Sequence, residues 1–263
     1  MPLPSPASTE SPDLTGRIVM ITGATGGLGR ALSLAAARAG ATVVIHGRVV
    51  RKLEELYDDL LAAGGPEPVI LPLDFAKAEA ADFANVAHAL ESQFGRMDAL
   101  VHTAVQLGTL GPIEHQSFDH WLSVLRIDLA APMGLTRALA GLLSESADGS
   151  VTFTLDTRGE EPHAYWGAYA AAKAGLSALA TILADEWESR ETLRVNAVIP
   201  GPIRSPMRSR THPAEDLAAL PAPEALAPLY LHLLAGQPKS ESGARIDAQA
   251  WLAGAPALTS LLP

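Results

Sequence analysis

Two kinds of sequence pattern alternate regularly along this chain from about Thr15, and few folds accommodate such an order. Short runs of apolar, often β-branched residues are typical of strands buried in a parallel sheet, and the longer stretches between them have the helical period. The alternation predicts a single-domain, Rossmann-like α/β fold: a doubly wound, mostly parallel sheet with helices on both faces. The predicted strands are residues 17–22, 41–45, 69–73, 99–103, 150–155 and 193–198, and the predicted helices are residues 28–40, 50–63, 78–94, 117–143 and 166–188.

No stretch in the middle of the chain resembles a linker, so we expect one domain over residues 14–263. The first thirteen residues contain four prolines and three serines, which predicts a flexible arm. Residues 200–223 are rich in Pro, Ser and Arg and have no periodicity. An irregular segment of this length inside a domain is usually functional, so we interpret it as a candidate lid over a site.

The composition excludes several classes of function. Lys and Arg number 19 against 29 Asp and Glu, and a net charge of −10 lacks the basic surface that nucleic acid binding needs. The chain has no cysteine, which removes thiolate chemistry and zinc–cysteine sites and suits the reducing cytoplasm. No apolar stretch is long and uncharged enough to predict a membrane span, and the histidines have no clear metal-ligand spacing. We therefore expect a cytoplasmic protein with no metal, no nucleic acid partner and no membrane partner.

A glycine-rich turn, TGATGGLG from Thr22 to Gly29, directly follows the first predicted strand and opens the first helix. In a dinucleotide site Gly23 would allow the tight turn, Gly27 would let a pyrophosphate approach the backbone, and Gly29 would permit close packing of helix and strand. The free N–H groups and the dipole at the helix start favour phosphate. Such a turn can be an ordinary strand–helix connection, but its place after the first strand favours a dinucleotide site.

The end of the second strand indicates which dinucleotide binds. An NAD site places an acidic residue there for the ribose hydroxyls, whereas an NADP site places arginine for the 2′-phosphate. Here Arg48, Arg51 and Lys52 follow the strand, and the first acidic residue is Glu54. Cations at a helix start oppose its dipole, so solubility explains them poorly. We therefore predict NADP, with NAD as the weaker alternative.

Tyr169 and Lys173 lie four residues apart near the start of the helix that follows the fifth strand. This spacing puts both side chains on one face of the helix. A free phenol has a pKa of about 10, and a nearby ammonium group lowers that pKa toward neutral pH, where proton transfer is easier. Ligands of open parallel sheets bind at the edge where the pair is expected, so Tyr169 and Lys173 are candidates for proton transfer.

Several motifs together resemble the short-chain dehydrogenase/reductase family. They are TGATGGLG after strand one, Asp74 after strand three, MDALVH at strand four, the Tyr169–Lys173 pair, RVNAVIPGPIRSPM after strand six and SGARIDAQ near the end. The resemblance extends over about residues 14–251, and it is nearest to bacterial oxidoreductases that share a WGAYxxxK helix. It implies a Rossmann-like fold, a nicotinamide dinucleotide as cofactor and a small alcohol or carbonyl compound as substrate.

The resemblance also implies roles for individual residues. Tyr169 would exchange a proton with substrate, and Lys173 would hold the nicotinamide ribose and lower the tyrosine pKa. Asp74 would meet the adenine, and Ser205 stands where the family usually has threonine. The residues implied in cofactor binding are Thr22, Gly23, Thr25, Gly27, Leu28, Gly29, Arg48, Arg51, Asp74, Phe75, Ala104, Tyr169, Lys173, Pro200, Gly201, Ile203 and Ser205.

The sequence departs from the family at three catalytic landmarks. Asp156 occupies the position of the carbonyl-polarising serine, thirteen residues before the tyrosine, and Asp128 occupies that of the active-site asparagine. The usual NNAG after strand four is HTAV, with Val105 in place of glycine. An ionised carboxylate cannot donate a hydrogen bond to a substrate carbonyl and would raise the pKa of Tyr169. Either Asp156 stays protonated and donates, with Asp128 nearby, or Thr154 or Thr157 supplies the hydroxyl.

We predict an NADP-dependent oxidoreductase that interconverts an alcohol and a carbonyl by hydride transfer, with Tyr169, Lys173, Asp156 and Asp128 as its catalytic residues. The alternative is a cofactor-binding protein without turnover, acting as a sensor or structural partner. A hydrolase using the two carboxylates is a more distant third possibility. The helices over residues 117–143 and 166–188 are apolar around most of their circumference, which favours a homodimer or homotetramer.

Overall fold

The eight strands found among the described residues all belong to one sheet, with the order β3-β2-β1-β4-β5-β6-β7-β8. The computed structural model describes residues 3–6, 12–236 and 241–262. The first seven strands pair in parallel and the last pairs antiparallel to β7. The strands are β1 (Ile18–Thr22), β2 (Thr42–Gly47), β3 (Val69–Pro72), β4 (Ala99–His102), β5 (Gly149–Thr154), β6 (Leu193–Ile199), β7 (Ala244–Asp247) and β8 (Leu258–Ser260).

The helices cover both faces of the sheet, as the alternation predicts, and the predicted fold class is confirmed. They are α1 (Gly27–Arg38), α2 (Val50–Ala62), α3 (Ala80–Phe94), α4 (Phe118–Leu125), α5 (Ala131–Ser144), α6 (Thr157–Glu160), α7 (Gly167–Glu186), α8 (Pro206–Thr211), α9 (Ala227–Leu234) and α10 (Ala248–Leu252). The segment predicted as an irregular lid, residues 200–223, contains α8 and a 3₁₀ turn at Leu217–Ala219.

The long helix predicted over residues 117–143 is interrupted. Between α4 and α5 the chain forms a turn of π-helix at Arg126–Ala130, and Asp128 lies inside it. Such turns are rare and occur mostly as single bulges, often at functional sites. The hydrophobic period continues through the interruption, so the sequence pattern does not reveal it.

The strand order places the site. β1 is flanked by β2 on one side and β4 on the other, so the connections leaving β1 and β4 run to opposite sides of the sheet. A crevice opens at such a switch point, outside the carboxyl ends of the strands. β2 also continues two residues beyond its predicted end, to Gly47, which carries His46 and Arg48 to that edge.

Two apolar layers, one on each face of the sheet, form the core. α1, α2 and α9 pack on one face around Leu32, Leu53 and Tyr230. α3, α5 and α7 pack on the other around Leu135 and Leu176. α7 and residues 217–234 are long and apolar enough to cross a membrane by composition alone, but about half of each is buried inside this domain. Their apolar character is accounted for by packing.

The predicted flexible arm lies partly outside the described residues, which omit residues 1, 2 and 7–11. Within the described part, Leu3 packs against the core and Trp251 Nε1 on α10 donates a 2.7 Å hydrogen bond to the Pro4 carbonyl. This part of the arm therefore contacts the domain, and the flexibility of the arm as a whole stays a prediction.

A buried ion pair ties the amino-terminal ends of the central strands together. The Arg194 side chain is 1% exposed and donates to both carboxylate oxygens of Asp148, at 2.6 and 2.9 Å. The same guanidinium donates to the Ala235 carbonyl after α9 at 2.9 Å, and Arg17 donates to the Asp148 carbonyl at 2.8 Å. This network joins the start of β6 to the loop before β5 and to the end of α9.

Replacing Asp148 by alanine should lower the free energy of unfolding by about 3–5 kcal/mol, because it leaves the Arg194 guanidinium buried without a counter-charge. The matched control is Asp59→Ala, which removes an ion pair with Arg30 whose side chains are nearly half exposed. That control should cost under about 1 kcal/mol. Denaturant unfolding measures both, and equal losses in the two variants would contradict the assigned role of Asp148.

Candidate active site

A continuous cleft runs along the edge where the parallel strands end. It consists of two cavities of about 690 and 310 Å³ that meet at the glycine turn and share Gly23, Gly26, Gly27, Thr103 and Val105. The larger cavity extends over β2 and β3, and the smaller one lies over β5 and β6. This arrangement suits an elongated ligand that crosses the sheet at its switch point.

The glycine turn is shaped by close backbone contacts. Gly23 has φ +63°, and a Cβ atom there would lie 2.7 Å from Ala104 Cα. A Cβ on Gly29 would lie 2.3 Å from the Gly23 carbonyl oxygen, so no side chain fits. A Cβ on Gly27 would instead face the cleft, 3.6 Å from the Ser205 side chain. Two glycines are therefore required by packing, and Gly27 keeps open a cradle at the start of α1.

Buried polar side chains fix this turn from two directions. Thr22 Oγ1 accepts hydrogen bonds from the N–H groups of Thr103 and Ala104, both at 3.1 Å, which holds the loop after β4 against β1. On the other side, the Gly23 N–H donates to His46 Nδ1 at 3.3 Å. Burial lowers the pKa of His46 to about 4, so the ring stays neutral and can accept that bond. Thr22 therefore supports the turn from within the fold rather than lining the cleft.

The larger cavity has a basic end. Arg48 and Lys52 line it, and Arg210 of α8 lines it from the opposite side. Arg51, which the sequence analysis grouped with Arg48, points elsewhere and forms an exposed ion pair with Glu55 one helical turn away. Among these cations, Arg48, Lys52 and Arg210 are the ones placed to meet a bound anion.

Asp74, which the resemblance implies for adenine binding, and Phe75, which it implies for cofactor binding, line the same cavity. Asp74 Oδ1 also accepts a 3.1 Å hydrogen bond from the Ala76 N–H. The Phe75 ring stacks on His46 with a centroid distance of 4.1 Å. The histidine ring thus contacts both the glycine turn and the wall of the cavity, a role that the sequence analysis did not assign.

Tyr169, Lys173 and Asp156 lie in the smaller cavity. The Tyr169 hydroxyl donates to Asp156 Oδ2 at 2.8 Å, and the other carboxylate oxygen accepts a 2.8 Å hydrogen bond from the Arg158 N–H. Lys173 Nζ donates to the Thr154 carbonyl at 2.9 Å and lies 5.9 Å from the centre of the tyrosine ring. Asp156 therefore stands beside Tyr169, where the alignment with the family's serine predicts it.

The two threonines considered as substitutes for serine differ in their surroundings. The Thr154 hydroxyl forms a 3.0 Å hydrogen bond with the buried Tyr230 hydroxyl, while the residue also lines the smaller cavity. That Thr154 supplies the missing hydroxyl stays a prediction. Thr157, by contrast, is exposed and lines the same cavity.

Asp128 is completely buried in the π-helical turn. Its Oδ1 accepts a 2.7 Å hydrogen bond from the Gln106 N–H, while Oδ2 has no hydrogen-bond partner among the described residues. Burial raises the pKa of Asp128 to about 7, although the nearby Lys173 ammonium opposes the rise. Asp128 lines neither cavity, and this removes the geometric basis for a hydrolase that would use Asp128 and Asp156 together on one water.

The electrostatic balance differs from the one expected for Tyr169 and Lys173 alone. Burial, reinforced by Asp156 and then Asp128, raises the pKa of Tyr169 well above its usual range. Burial lowers the pKa of Lys173, and the same two carboxylates oppose that change. The phenol is therefore neutral at physiological pH, chiefly because it is buried and secondly because it lies beside Asp156 and Asp128.

The loop after β6 closes the smaller cavity. Pro200, Gly201, Ile203 and Ser205 line it, and Gly201 has φ +65°. The loop is held by Gln249 of α10, whose Nε2 donates to the Pro200 and Pro202 carbonyls at 2.7 and 3.2 Å. Gln249 is not among the site residues predicted from the sequence, although it is the last residue of the SGARIDAQ motif. Other residues of this wall were not predicted either, namely Arg158, Trp166, Met207, Arg208, Thr211 and His212.

Comparison with known proteins identifies the class to which this fold and cleft belong. A family model described as short chain dehydrogenase matches residues 17–216. The chain is 35% identical to the uncharacterized oxidoreductase YciK of Escherichia coli K12 over 236 residues, 90% of this chain and 93% of that protein. The chain therefore belongs to the short-chain dehydrogenase family, a family of oxidoreductases, and the resemblance drawn from its motifs is confirmed.

Two solved structures show how closely the fold is shared. A short chain dehydrogenase from Pseudomonas syringae superposes with a TM-score of 0.88 at 35% identity, covering 95% of this chain and 99% of that one. A short chain dehydrogenase from Escherichia coli CFT073, solved in complex with NADPH, has a TM-score of 0.86 at 35% identity and covers 90% and 98% of the two chains. The likeness thus extends over nearly the whole chain.

The buried carboxyl of Asp128 should make stability depend on pH. Because its folded pKa is raised, its favourable contribution is complete below the unfolded pKa of about 4 and is lost as pH rises through about 7. Relative to Asp128→Asn, the wild-type protein should lose stability on the order of 4 kcal/mol between about pH 4 and pH 8. Denaturant unfolding at several pH values measures this difference.

The matched control for this experiment is Asp58→Asn on the exposed face of α2, whose stability relative to wild type should be nearly independent of pH over the same range. A constant difference between wild type and Asp128→Asn would show that the Asp128 carboxyl does not titrate in that interval.

Proposed function

We propose that the protein is an NADP-dependent oxidoreductase that interconverts an alcohol and a carbonyl compound. The observation that carries the proposal is one cleft with a proton-transfer pair, Tyr169 and Lys173, at one end and two cations, Arg48 and Lys52, at the other. The NADPH bound to the E. coli CFT073 protein of similar fold supports the choice of cofactor.

The residues present fit a dinucleotide. Gly27 leaves space at the start of α1 that a Cβ would fill, and the free N–H groups there favour a pyrophosphate. Arg48 and Lys52, with Arg210 opposite, provide positive charge where a 2′-phosphate would lie. The loop that Gln249 braces, from Pro200 to Ser205, would flank the nicotinamide end. We assign cofactor binding to these residues and to Thr25, Leu28, Asp74, Phe75, Ala104 and Ile203, which also line the cleft.

The chain's own contribution to the reaction is proton transfer and positioning. A bound nicotinamide supplies or accepts the hydride in this chemistry. Tyr169 gives its proton to the substrate oxygen during reduction and, once it has lost that proton, takes one from the substrate during oxidation; its raised pKa favours the neutral, proton-donating form. Lys173, fixed by the Thr154 carbonyl, would place a positive charge near the phenol and would hold the ribose of a bound cofactor.

The substrate is selected by the residues around the smaller cavity. Trp166 and Met207 offer apolar surface, and the Arg158 guanidinium lies 4.9 Å above the Trp166 ring. Arg208 on the same wall is neutralised by two hydrogen bonds to Glu215. These features support a small substrate with an apolar part, bound in the portion of the 310 Å³ cavity that the nicotinamide end of the cofactor would leave free.

We further propose that the protein acts in the cytoplasm as a homodimer or homotetramer. Leu122, Met133 and Ile182 are exposed on α4, α5 and α7, the helices whose apolar circumference led to this expectation. An interface between copies of the chain that used these helices would bury all three side chains, which supports the proposal.

The first test is cofactor preference. The protein should bind NADPH more tightly than NADH, and Arg48→Ala should weaken NADPH binding by about 10- to 100-fold, because one charge-assisted contact contributes roughly 1.5–3 kcal/mol. NADH binding should change little in that variant. Titration calorimetry measures both affinities. Arg51→Ala is the matched control, since Arg51 is paired with Glu55 and exposed, and it should retain the wild-type preference.

Equal affinity of the wild-type protein for NADPH and NADH would refute the assignment of NADP. Loss of preference in Arg51→Ala rather than Arg48→Ala would mean that the 2′-phosphate meets the exposed face of α2 instead of the cleft.

The second test is turnover with a panel of carbonyl compounds and NADPH. Tyr169→Phe should abolish turnover and leave NADPH affinity nearly unchanged, because it removes only the proton-transfer group. Lys173→Ala should damage both, since Lys173 is assigned to the ribose as well as to the tyrosine. Tyr165→Phe, which alters an exposed tyrosine four residues earlier, is the matched control and should retain the wild-type rate.

An active Tyr169→Phe variant would show that another group transfers the proton. Tight NADPH binding without turnover on any carbonyl of the panel, or on the corresponding alcohols with NADP⁺, would favour the alternative of a cofactor-binding protein without catalysis.

A further inference from the structure

We propose that Asp156 is a second proton-transfer group of this site and that it exchanges its proton with Tyr169 rather than with substrate. The inference rests on the function proposed above. In oxidation of an alcohol, the substrate O–H bond breaks and its proton passes to Tyr169 Oη, while the proton already on Oη passes to Asp156 Oδ2. The adjacent C–H bond breaks and its electron pair leaves as hydride to the oxidised nicotinamide. The carbonyl product, a neutral Tyr169 and a protonated Asp156 remain.

The hydrogen bonds around Asp156 suit an ionised carboxylate that accepts protons. Oδ1 accepts from the Arg158 N–H, which can only donate, and Oδ2 accepts from the Tyr169 hydroxyl. Asp156 also caps the amino-terminal end of α6. Both oxygens therefore act as acceptors, and the proton of Tyr169 is directed toward Asp156 before any substrate enters.

A relay through Tyr169 resolves an electrostatic difficulty of the site. A tyrosine that accepts the substrate proton alone must first become a phenolate, which is costly here because the side chain is buried beside two carboxylates. In the relay the phenol loses one proton as it gains another, so no phenolate forms. Asp156 makes the Tyr169 phenolate costly, but in the relay it accepts the phenol proton, so Tyr169 does not need to ionise.

The position of Asp156 also allows the proton to leave. Its side chain is partly exposed in the cleft, whereas Tyr169 and Lys173 are buried. A proton received by Asp156 can therefore pass to water without crossing the protein. Asp128, the other carboxyl near Lys173, is sealed in the π-helical turn and has no such route.

Other charged groups face this dyad and must be considered in any pH dependence. Lys173 on α7 interacts electrostatically with Asp156. Asp128 in the π-helical turn interacts electrostatically with Tyr169. Arg158 follows Asp156 in α6, and the remaining charged or titratable groups of the cavity wall are Arg208 and His212 near α8. Of these, Asp128 is the one whose titration near pH 7 could imitate that of a proton acceptor.

The contact is tested first in the protein without cofactor, by following the ultraviolet absorbance of phenolate as the pH is raised from about 10, where a free tyrosine is half ionised. Subtracting the signal of Tyr169→Phe isolates this residue from the other three tyrosines. Asp156→Asn retains an oxygen that can cap α6 but carries no charge. It should lower the pH at which Tyr169 ionises, although burial still keeps that pH above the value for a free tyrosine. An unchanged pH of ionisation would overturn the proposal.

The relay itself is tested by the pH profile of alcohol oxidation, with NADP⁺ and cyclohexanol, 2-propanol or 1-phenylethanol as probes. The wild-type rate should reach a plateau with rising pH that depends on the Asp156 carboxylate. Asp156→Asn should be slower by about 10²-fold or more near pH 7, the scale of one general base. Its rate should continue to rise into the alkaline range, because it now depends on phenolate. Asp156→Glu should recover a plateau near neutral pH, as a longer carboxylate can still accept the proton.

Glu161→Gln is the matched control for loss of one negative charge near α6. Glu161 is exposed, so its neutralisation should leave the profile unchanged. The proposal is overturned if Asp156→Asn keeps the wild-type plateau, or if Asp128→Asn abolishes it while Asp156→Asn does not. Failure of NADPH binding, or full activity of Tyr169→Phe, would instead refute the proposed function, so the two failures are distinguishable.

Discussion

The close approach of α1 to β1 is the constraint on which the rest of the site depends. A Cβ atom on Gly29 would lie only 2.3 Å from the Gly23 carbonyl oxygen. The helix can therefore start this close to the strand only because residue 29 has no side chain. Thr22 then holds β4 to the same turn, and His46 holds β2. Because three neighbouring strands meet at one turn, the cleft has a fixed floor before any ligand binds.

The charges of the site form a second level of organisation. Lys173 is buried between two carboxyl groups, one partly exposed and one sealed. A family member with serine and asparagine at these positions would leave the ammonium as the dominant charge, whereas here Asp156 and Asp128 reverse the balance around the phenol. The substitutions change neither the fold nor the hydrogen-bond distance expected of a partner for Tyr169. They add to the rise in the pKa of Tyr169 that burial causes, and so make its ionised form still less stable.

The sequence predicted the elements and the cleft well because both follow from local patterns. Buried parallel strands and amphipathic helices have distinct periods, and the glycine turn, Tyr169 and Lys173 lie at fixed places relative to them. What it missed depends on side-chain direction or long-range contact. Arg51 and Lys52 are adjacent, and only the helix rotation shows which one faces the cleft. The roles of Thr154 and Gln249 depend on contacts with Tyr230 and Pro200, which are distant in sequence.

The π-helical turn at Arg126–Ala130 has a consequence for how this helix can vary. It adds one residue to a turn, and each residue of an α-helix rotates the following side chains by about 100°. Deleting a residue there would restore regular α-helical hydrogen bonds, but it would rotate one part of the helix relative to the other. Either Asp128 would turn away from Lys173, or Leu135 and Leu139 would turn away from the core. The helix cannot be regular and satisfy both faces at once, so single-residue insertions and deletions in this segment should be tolerated far less than substitutions.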